Sequence, residues 1–422
     1  MIQSASLKPI AKIQGKGLNM RFVEDNPNGI RSAEIVVGIP SLNEADLISF
    51  PTQQADRGLT KYYPEKSAVI VNVDNHSPDD THRSFMSTAT ETPKIYISTE
   101  DGVTGKGNNL RNLFQKALEL EARAVLVIDA DLQSIAPLWI RNLAEPLFDE
   151  YDFVAPLYIR HKYDVTVTNS IAYPLTRALY GRRVRQPIGG DVAFSGRVAR
   201  SFVDCDIWNE AIAHFGIDVW MTTNAVRKHG SIIQSFMGRP KVHKLRDIDS
   251  QVGMLFEDVV GTMFELMVNF DSFWKDVRWS RPTAVFGFGL GDMEVPPPVT
   301  VDTHQLWEKF VTGARQKWEL YSAVLETEDL NKLEEVMDIP AMGFEFPSGL
   351  WAKLIYDFAI AYRQSSIDRG ELIRSMIPLH YGKTLSFVIE TEAMNNQQVE
   401  EFIEDQCLQF EKTKPYLLER WG

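Results

Sequence analysis

Apolar residues fall along the first half of the chain in two patterns. Short unbroken runs at 34–40 (EIVVGIP), 68–73 (AVIVNV), 94–98 (KIYIS) and 125–128 (VLVI) read as strands buried on both faces. Between the last two, residues 109–120 carry Leu110, Leu113, Phe114, Ala117 and Leu118 at helical spacing. Strands that alternate with helices predict an α/β fold, a mostly parallel, doubly wound sheet.

Beyond about residue 250 the runs disappear and helical periodicity takes over. Helices are expected over 254–274, 306–325, 350–362, 372–376 and 399–410, with Pro296-Pro297-Pro298 as a rigid linker. In the second of these, Trp307, Phe310, Val311, Ala314, Trp318, Tyr321 and Leu325 share one face. The expected organisation is an arm (1–32), an α/β domain (33–250) and an all-α C-terminal domain (251–422). Trp307, Trp318, Trp351 and Tyr356 give the helical part a heavy aromatic load. That load predicts a homodimer or larger closed oligomer; the alternative is a core made within the chain.

Composition narrows the function. The chain has 422 residues, 44% hydrophobic and 24% charged, ordinary for a globular protein. A formal charge of −13 argues against nucleic acid as the main partner. Cys205 and Cys407 lack metal-ligand spacing and read as reduced thiols. The N-terminus has no apolar signal core, and no run approaches 18 apolar residues, so a cytoplasmic protein without membrane spans is expected.

The most informative motif is Asp129-Ala130-Asp131, directly after the fourth apolar run. In open α/β sheets ligands gather beyond the carboxyl ends of the strands. Two carboxylates there suit a hard divalent cation that also holds a diphosphate. Asp204-Cys205-Asp206 and Asp247-Ile248-Asp249 share the pattern but follow no buried strand. Gly105-Lys106-Gly107 opens the helix at 109, where free N–H groups and an ammonium suit a diphosphate; the plain alternative is a solvent turn. The 74–81 segment (DNHSPDDT) offers acceptors for a nucleobase or ribose, or caps the next helix as an Asx-type turn. The glycine run at 287–291 (GFGLG) lacks nucleotide-loop spacing and reads as a turn. Asp218, in Gly216-Ile217-Asp218, starts a helix-like run, where capping alone would account for it. His243, at the end of Arg239-Pro240-Lys241-Val242-His243, needs a carboxylate partner to be a metal ligand.

In order, these pieces resemble the nucleotide-sugar-dependent glycosyltransferases of the GT-A fold. Ile39-Pro40-Ser41-Leu42-Asn43-Glu44 is similar to their first-strand signature. The 73–81 segment is similar to a V-D-D-G-S-x-D-x-T run, departing at Asn75 and His76. Asp129-Ala130-Asp131 matches the D-x-D motif. Within that class the chain resembles mannosylglycerate synthases and the related glucosylglycerate and glucosyl-3-phosphoglycerate synthases, over roughly 34–250. Gln186-Pro187-Ile188-Gly189-Gly190-Asp191 carries this closer likeness, the relatives reading Q-P-L-G-G-E. The resemblance implies a retaining transferase using a divalent cation (Mg²⁺ or Mn²⁺) and a GDP- or UDP-linked glucose or mannose donor. It implies Asp131 and His243 at the metal, Asp129 and Ala130 at the metal and ribose, and Lys106 at the diphosphate. Pro40, Glu44 and Asn75 would meet the nucleoside, and Asp218 the sugar hydroxyls. Arg160, Thr168, Ile188, Gly189 and Gly190 would hold a D-glycerate or 3-phosphoglycerate acceptor. No residue stands out as a covalent nucleophile.

Two other readings remain. A sugar nucleotidyltransferase of the same fold would carry a Gly-rich loop where this chain has Ser41-Leu42-Asn43-Glu44. A non-catalytic sugar-nucleotide-binding protein would not need Asp129, Asp131 and His243 together.

Overall fold

The computed structural model describes residues 23–243, 248–287 and 294–422. They form two compact units that interleave along the chain. The first takes the described residues up to Ile159, then those of Gly189–Arg246 and Thr283–Pro296; the second takes Arg160–Ile188, those of Asp247–Pro282, and Pro297–Gly422. The composition shift near 250 marks one cut, whereas 160–188 group with the helical unit and 283–296 with the sheet unit.

The strands are β1 (Val23–Asp25), β2 (Ile35–Ser41), β3 (Ala68–Asp74), β4 (Lys94–Ser98), β5 (Ala124–Val127), β6 (Phe153–Ile159), β7 (Arg182–Arg183), β8 (Ala193–Ser195), β9 (Ile232–Pro240), β10 (Arg281–Pro282) and β11 (Ala284–Phe286). The first unit holds a nine-stranded sheet ordered β1-β4-β3-β2-β5-β8-β6-β9-β11. Its pairings are parallel except at β1 and at β8, which runs antiparallel between β5 and β6. The expected α/β class with a mostly parallel sheet and a helical C-terminal region is therefore what the chain forms. The arm differs from expectation at Val23–Asp25, which pairs with β4 as an edge strand; residues 1–22 lie outside the described ones.

Both faces of the sheet are covered. Odd-numbered residues of β2 (Ile35, Val37, Ile39) join Ala55 and Leu59 of helix α1 (Ser49–Tyr62) in one core cluster. Trp139, Ile140, Leu143 and Leu147 complete that face; helix α2 (Thr81–Ser87) follows β3, and helix α3 (Lys106–Glu119) precedes β5. On the other face of β2, a Cβ at Gly38 would lie 2.1 Å from Leu113 Cδ2. Glycine at this strand centre is what lets α3 lie flat on the sheet. After β5 come α4 (Pro137–Asp149) and, in the second unit, α5 (Tyr173–Tyr180). The first unit continues with α6 (Gly196–Val203), α7 (Glu210–Ala213) and α8 (Ile217–Lys228).

The second unit is helical: α9 (Ile248–Asn269), α10 (Asp271–Trp274), α11 (Thr303–Gln316), α12 (Trp318–Val324), α13 (Thr327–Met337), α14 (Ser348–Gln364), α15 (Arg369–Ser375), α16 (Ile377–Thr391) and α17 (Asn396–Trp421). The helix expected over 306–325 is two, broken at Lys317. Trp351 and Tyr356 are fully buried inside this unit, and the Trp307 indole donates to Ile339 O at 2.9 Å. These aromatics are satisfied within the chain and give no argument for a second copy. No described helix is long and apolar enough to cross a membrane.

His380 on α16 is buried among Phe256 and Trp351, with Nε2 3.2 Å from Thr166 Oγ1 and Nδ1 3.4 Å from Ser170 Oγ. Burial pushes its pKa down from 6.5 to about 4. Between those values the unfolded chain takes up a proton that the folded chain refuses. Stability should therefore fall by roughly 3 kcal/mol as pH drops through that interval. In urea titrations from pH 7 to pH 4, His380→Asn is expected to show a shallower decline than the parent. Equal slopes would refute the assignment.

Candidate active site

The carboxyl ends of β2, β3, β4 and β5 open on one edge of the sheet, and a cluster of charged side chains gathers there. Asp129 lies two residues beyond β5. Its Oδ1 is 2.9 Å from Lys106 Nζ and its Oδ2 2.6 Å from Lys241 Nζ. Lys106 also reaches Asp218 Oδ2 at 3.2 Å, while Lys241 reaches Asp191 Oδ2 at 2.7 Å and Gly189 O at 3.0 Å. Three carboxylates thus surround two ammonium groups with little solvent.

The local sequence explains how these groups converge. Lys106 is the first residue of α3, and the loop before it is fixed by Asn75, whose Oδ1 accepts from Gly105 N at 2.9 Å. Asn75 Nδ2 donates to Asn109 Oδ1 at 2.7 Å, and Asn109 Nδ2 donates to Ser41 O at 3.0 Å. Both ends of the Asn75 amide are thus engaged in joining β2, β3 and α3. The two glycines flanking Lys106 were expected to admit a ligand, but they admit backbone instead. A Cβ at Gly105 (φ +113°) would lie 2.2 Å from Ala213 O, and one at Gly107 2.0 Å from Ile212 O. Gly107 N donates to His214 O at 3.2 Å. This close approach brings Gly216-Ile217-Asp218, at the start of α8, beside Lys106.

Gly190 (φ +84°) plays the opposite part. A Cβ there would meet Asp129 Oδ2 at 2.9 Å, Lys241 Nζ at 3.0 Å and Lys106 Nζ at 3.3 Å. Its missing side chain lets the Gly190 backbone lie directly against the charged groups. Asp218 Oδ1 is buried without a hydrogen-bond partner among the described residues, an acceptor available to a hydroxyl.

The electrostatics follow from crowding. Burial alone would lower the Lys106 pKa, but Asp129 and then Asp218 hold it above the ordinary lysine value. Burial works to raise Asp129, yet Lys106 and Lys241 hold it well below the usual carboxylate range. Asp191 and Asp218 are raised, by burial first, against the opposing pull of Lys241 and Lys106 respectively, with Asp129 adding to the rise.

Asp131 is half-buried. The loop that carries it is tied to the segment of His243, because Gln133 N donates to Val242 O and Val242 N donates to Ser134 Oγ, both at 2.9 Å. Among the described residues no group of three or more His, Cys, Asp or Glu side chains is placed to hold a metal ion. A cation here would draw on Asp131 and His243 and take its remaining donors from a ligand. Pro40 is buried in β2, and Glu44 and Ala130 are buried nearby in sequence at the strand ends. The 74–81 segment makes the capping turn: Asp74 accepts from Ser77 N and from Ser77 Oγ, each at 2.7 Å. Arg160, Thr168 and Ile188 belong to the second unit. There Arg160 Nη1 donates to Asp164 Oδ2 at 2.8 Å, and buried Thr168 begins a π-helical turn, Thr168–Ala172. The glycine run expected as a turn is described only at Gly287; the rest lies outside the described residues.

Lys241, Tyr158 and the role of Asp191 escaped the sequence reading. Lys241 stands two residues before His243, and only the basic run 239–243 hinted at it.

Residues 37–207 match the model of the family described as Glycosyl transferase family 2, which agrees with the GT-A resemblance carried by the motifs. No curated protein matches the chain. Solved structures similar to it include glucosyl-3-phosphoglycerate synthase from Mycobacterium tuberculosis in complex with Mn²⁺, uridine diphosphate and glucosyl-3-phosphoglycerate, at 22% identity, TM-score 0.43, covering 55% of this chain and 79% of that one. The same enzyme with Mg²⁺ and uridine diphosphate aligns at 20% identity and TM-score 0.42, covering 55% and 78%. Likeness at this level assigns no substrate to this chain.

The packing account of Gly105-Lys106-Gly107 is testable. Gly107→Ala forces backbone against backbone and should lower stability by about 1–3 kcal/mol. Gly261→Ala, where a Cβ meets nothing within 4 Å, should be neutral or mildly stabilising. Thermal unfolding of the two variants checks this; an unchanged midpoint for Gly107→Ala would sink it.

Proposed function

We propose that the chain is a glycosyltransferase that moves a hexose, glucose or mannose, from a nucleoside diphosphate sugar to a small hydroxy-acid, D-glycerate ahead of 3-phosphoglycerate. The observation that carries the reading is the half-buried Lys106–Asp129–Lys241 cluster packed against the Gly190 backbone, at the carboxyl edge of the sheet. Loss of a nucleoside diphosphate builds negative charge on the leaving phosphate. Lys106 and Lys241 stand ready to face that charge from a site that excludes water. Asp131 and His243 would hold a divalent cation, which would supply Lewis-acid chemistry there. The donor set suits such an ion: a carboxylate and an imidazole on segments joined by the Gln133 N–Val242 O hydrogen bond. The unpartnered Asp218 Oδ1 accepts from a donor-sugar hydroxyl. In the resembled enzymes the acceptor lies on the leaving-group side, which supports transfer with retention of the α configuration.

The acceptor preference rests on Thr166. The phosphoglycerate-using relatives place an arginine at this position, two residues before the shared threonine. Here the Thr166 hydroxyl is 3.2 Å from His380 Nε2 and carries no charge for a phosphate. Arg160 offers a planar fork suited to a carboxylate.

Incubation with UDP- and GDP-linked glucose and mannose, with each acceptor, should release nucleoside diphosphate. Pyrophosphate release would mark a nucleotidyltransferase, and no turnover a binding protein. Asp131→Ala should lower the rate by at least about two orders of magnitude, as should EDTA, with the fold intact. Full activity in either condition would remove the metal assignment. The kcat/KM for D-glycerate should exceed that for 3-phosphoglycerate, and a β-linked product by NMR would refute retention.

A further inference from the structure

Asp191 stands where four segments of the first unit meet, and its side chain is fully buried. Its Oδ1 accepts from Asp129 N at 2.8 Å. Its Oδ2 is 2.7 Å from Lys241 Nζ and also accepts from the Tyr158 hydroxyl. Tyr158, on β6, is buried, and Lys241 Nζ lies 5.3 Å from the centre of its ring. One residue on, Val192 O accepts from Val127 N at 2.8 Å, which fixes the segment against the end of β5.

We infer that Asp191 is a positioning residue of the transfer reaction: it sets the backbone of Asp129 and the ammonium of Lys241 against Gly190. The inference rests on the glycosyltransferase reading. Asp191 contributes one more negative charge to a buried site that is proposed to receive a diphosphate. For binding an anion that charge is unfavourable. Its presence is explained by placement: both carboxylate oxygens are engaged, and their partners come from β5, β6 and the segment after β9. Lys241 would still have Asp129 Oδ2 and Gly189 O without it. It would lose its contact with Asp191 Oδ2, and with it the charge that draws the ammonium toward the Asp191 side of Asp129.

This predicts a separation of binding from turnover. Asp191→Asn keeps an acceptor for Asp129 N and removes the charge held against Lys241. Its affinity for UDP or GDP with Mg²⁺, whichever the parent binds by titration calorimetry, should be unchanged or tighter. Its kcat should fall at least about tenfold, with the acceptor KM unaltered. Tyr158→Phe removes one hydroxyl from the same carboxylate and should move kcat in the same direction by less. It carries the test if Asp191→Asn does not fold. A kcat within twofold of the parent overturns the inference. So does a parallel loss of kcat and nucleotide affinity, which a general structural defect produces. If the parent binds neither nucleotide, the glycosyltransferase reading falls and this inference with it; if the parent binds and the variants behave as the parent, this inference alone falls.

Discussion

The first unit is organised around one constraint: Asp129 is held between two ammonium groups at the end of a buried strand. At the effective dielectric of a protein, opposite charges 4 Å apart attract by about 4 kcal/mol. Taking the ions out of water costs several kcal/mol each. The balance is favourable only when every member has a partner in good geometry. Lys106 arrives on the first turn of α3, Lys241 after β9, Asp218 on the first turn of α8 and Asp191 beside β5. Each of those elements must be in place for the charges to close on one another. Three carboxylates stand against two lysines, and burial first, with the Asp129 charge adding to it, raises the pKa of Asp191 and of Asp218.

Other buried lysines show what a purely structural ammonium looks like here. Lys94 donates to the carbonyls of Phe85, Met86 and Thr88 at the end of α2. In the second unit Lys414 donates to the carbonyls of Ala178, Trp274 and Val277. In both, three N–H groups meet three carbonyls, which for Lys94 satisfies the last turn of α2 from outside. Burial then lowers the pKa of Lys94, and pushes that of Lys414 down to about 8. Lys106 and Lys241 differ in kind. They face carboxylates, and a glycine backbone lies against them.

Much of this was legible in the sequence, and the remainder was not for a physical reason. The strands at 34–40, 68–73, 94–98 and 125–128 announce themselves because both faces are buried, so the apolar runs are unbroken. The helix at 109–120 shows its face at 3.6-residue spacing, although α3 starts earlier, at Lys106. Asp129 could be singled out because a strand signal precedes it. Lys241 and Asp191 could not, since their partners lie far along the chain and nothing local distinguishes them. The antiparallel β8 has three residues, too few to show a period. Gly105 and Gly107 were read for a ligand because sequence reports the absence of a side chain and not what fills the space. The break at Lys317 leaves the apolar spacing of 306–325 nearly intact, which is why one helix was expected there.

The same geometry separates the two carboxylates of the D-x-D pattern. Both oxygens of Asp129 are engaged by ammonium groups, at 2.9 and 2.6 Å. A metal ion taking Asp129 as a ligand would have to displace a lysine from it, leaving Lys106 to Asp218 or Lys241 to Asp191 and Gly189 O. Asp131 is half-buried, and its loop is stitched by backbone hydrogen bonds to the segment that ends at His243. It can meet a cation without breaking the lysine pairs. Asp129 is thus tied to the two lysines it orders, whereas Asp131 sits on the loop joined to the His243 segment. Two residues with one spelling in the sequence are set to different work by what the fold places against each.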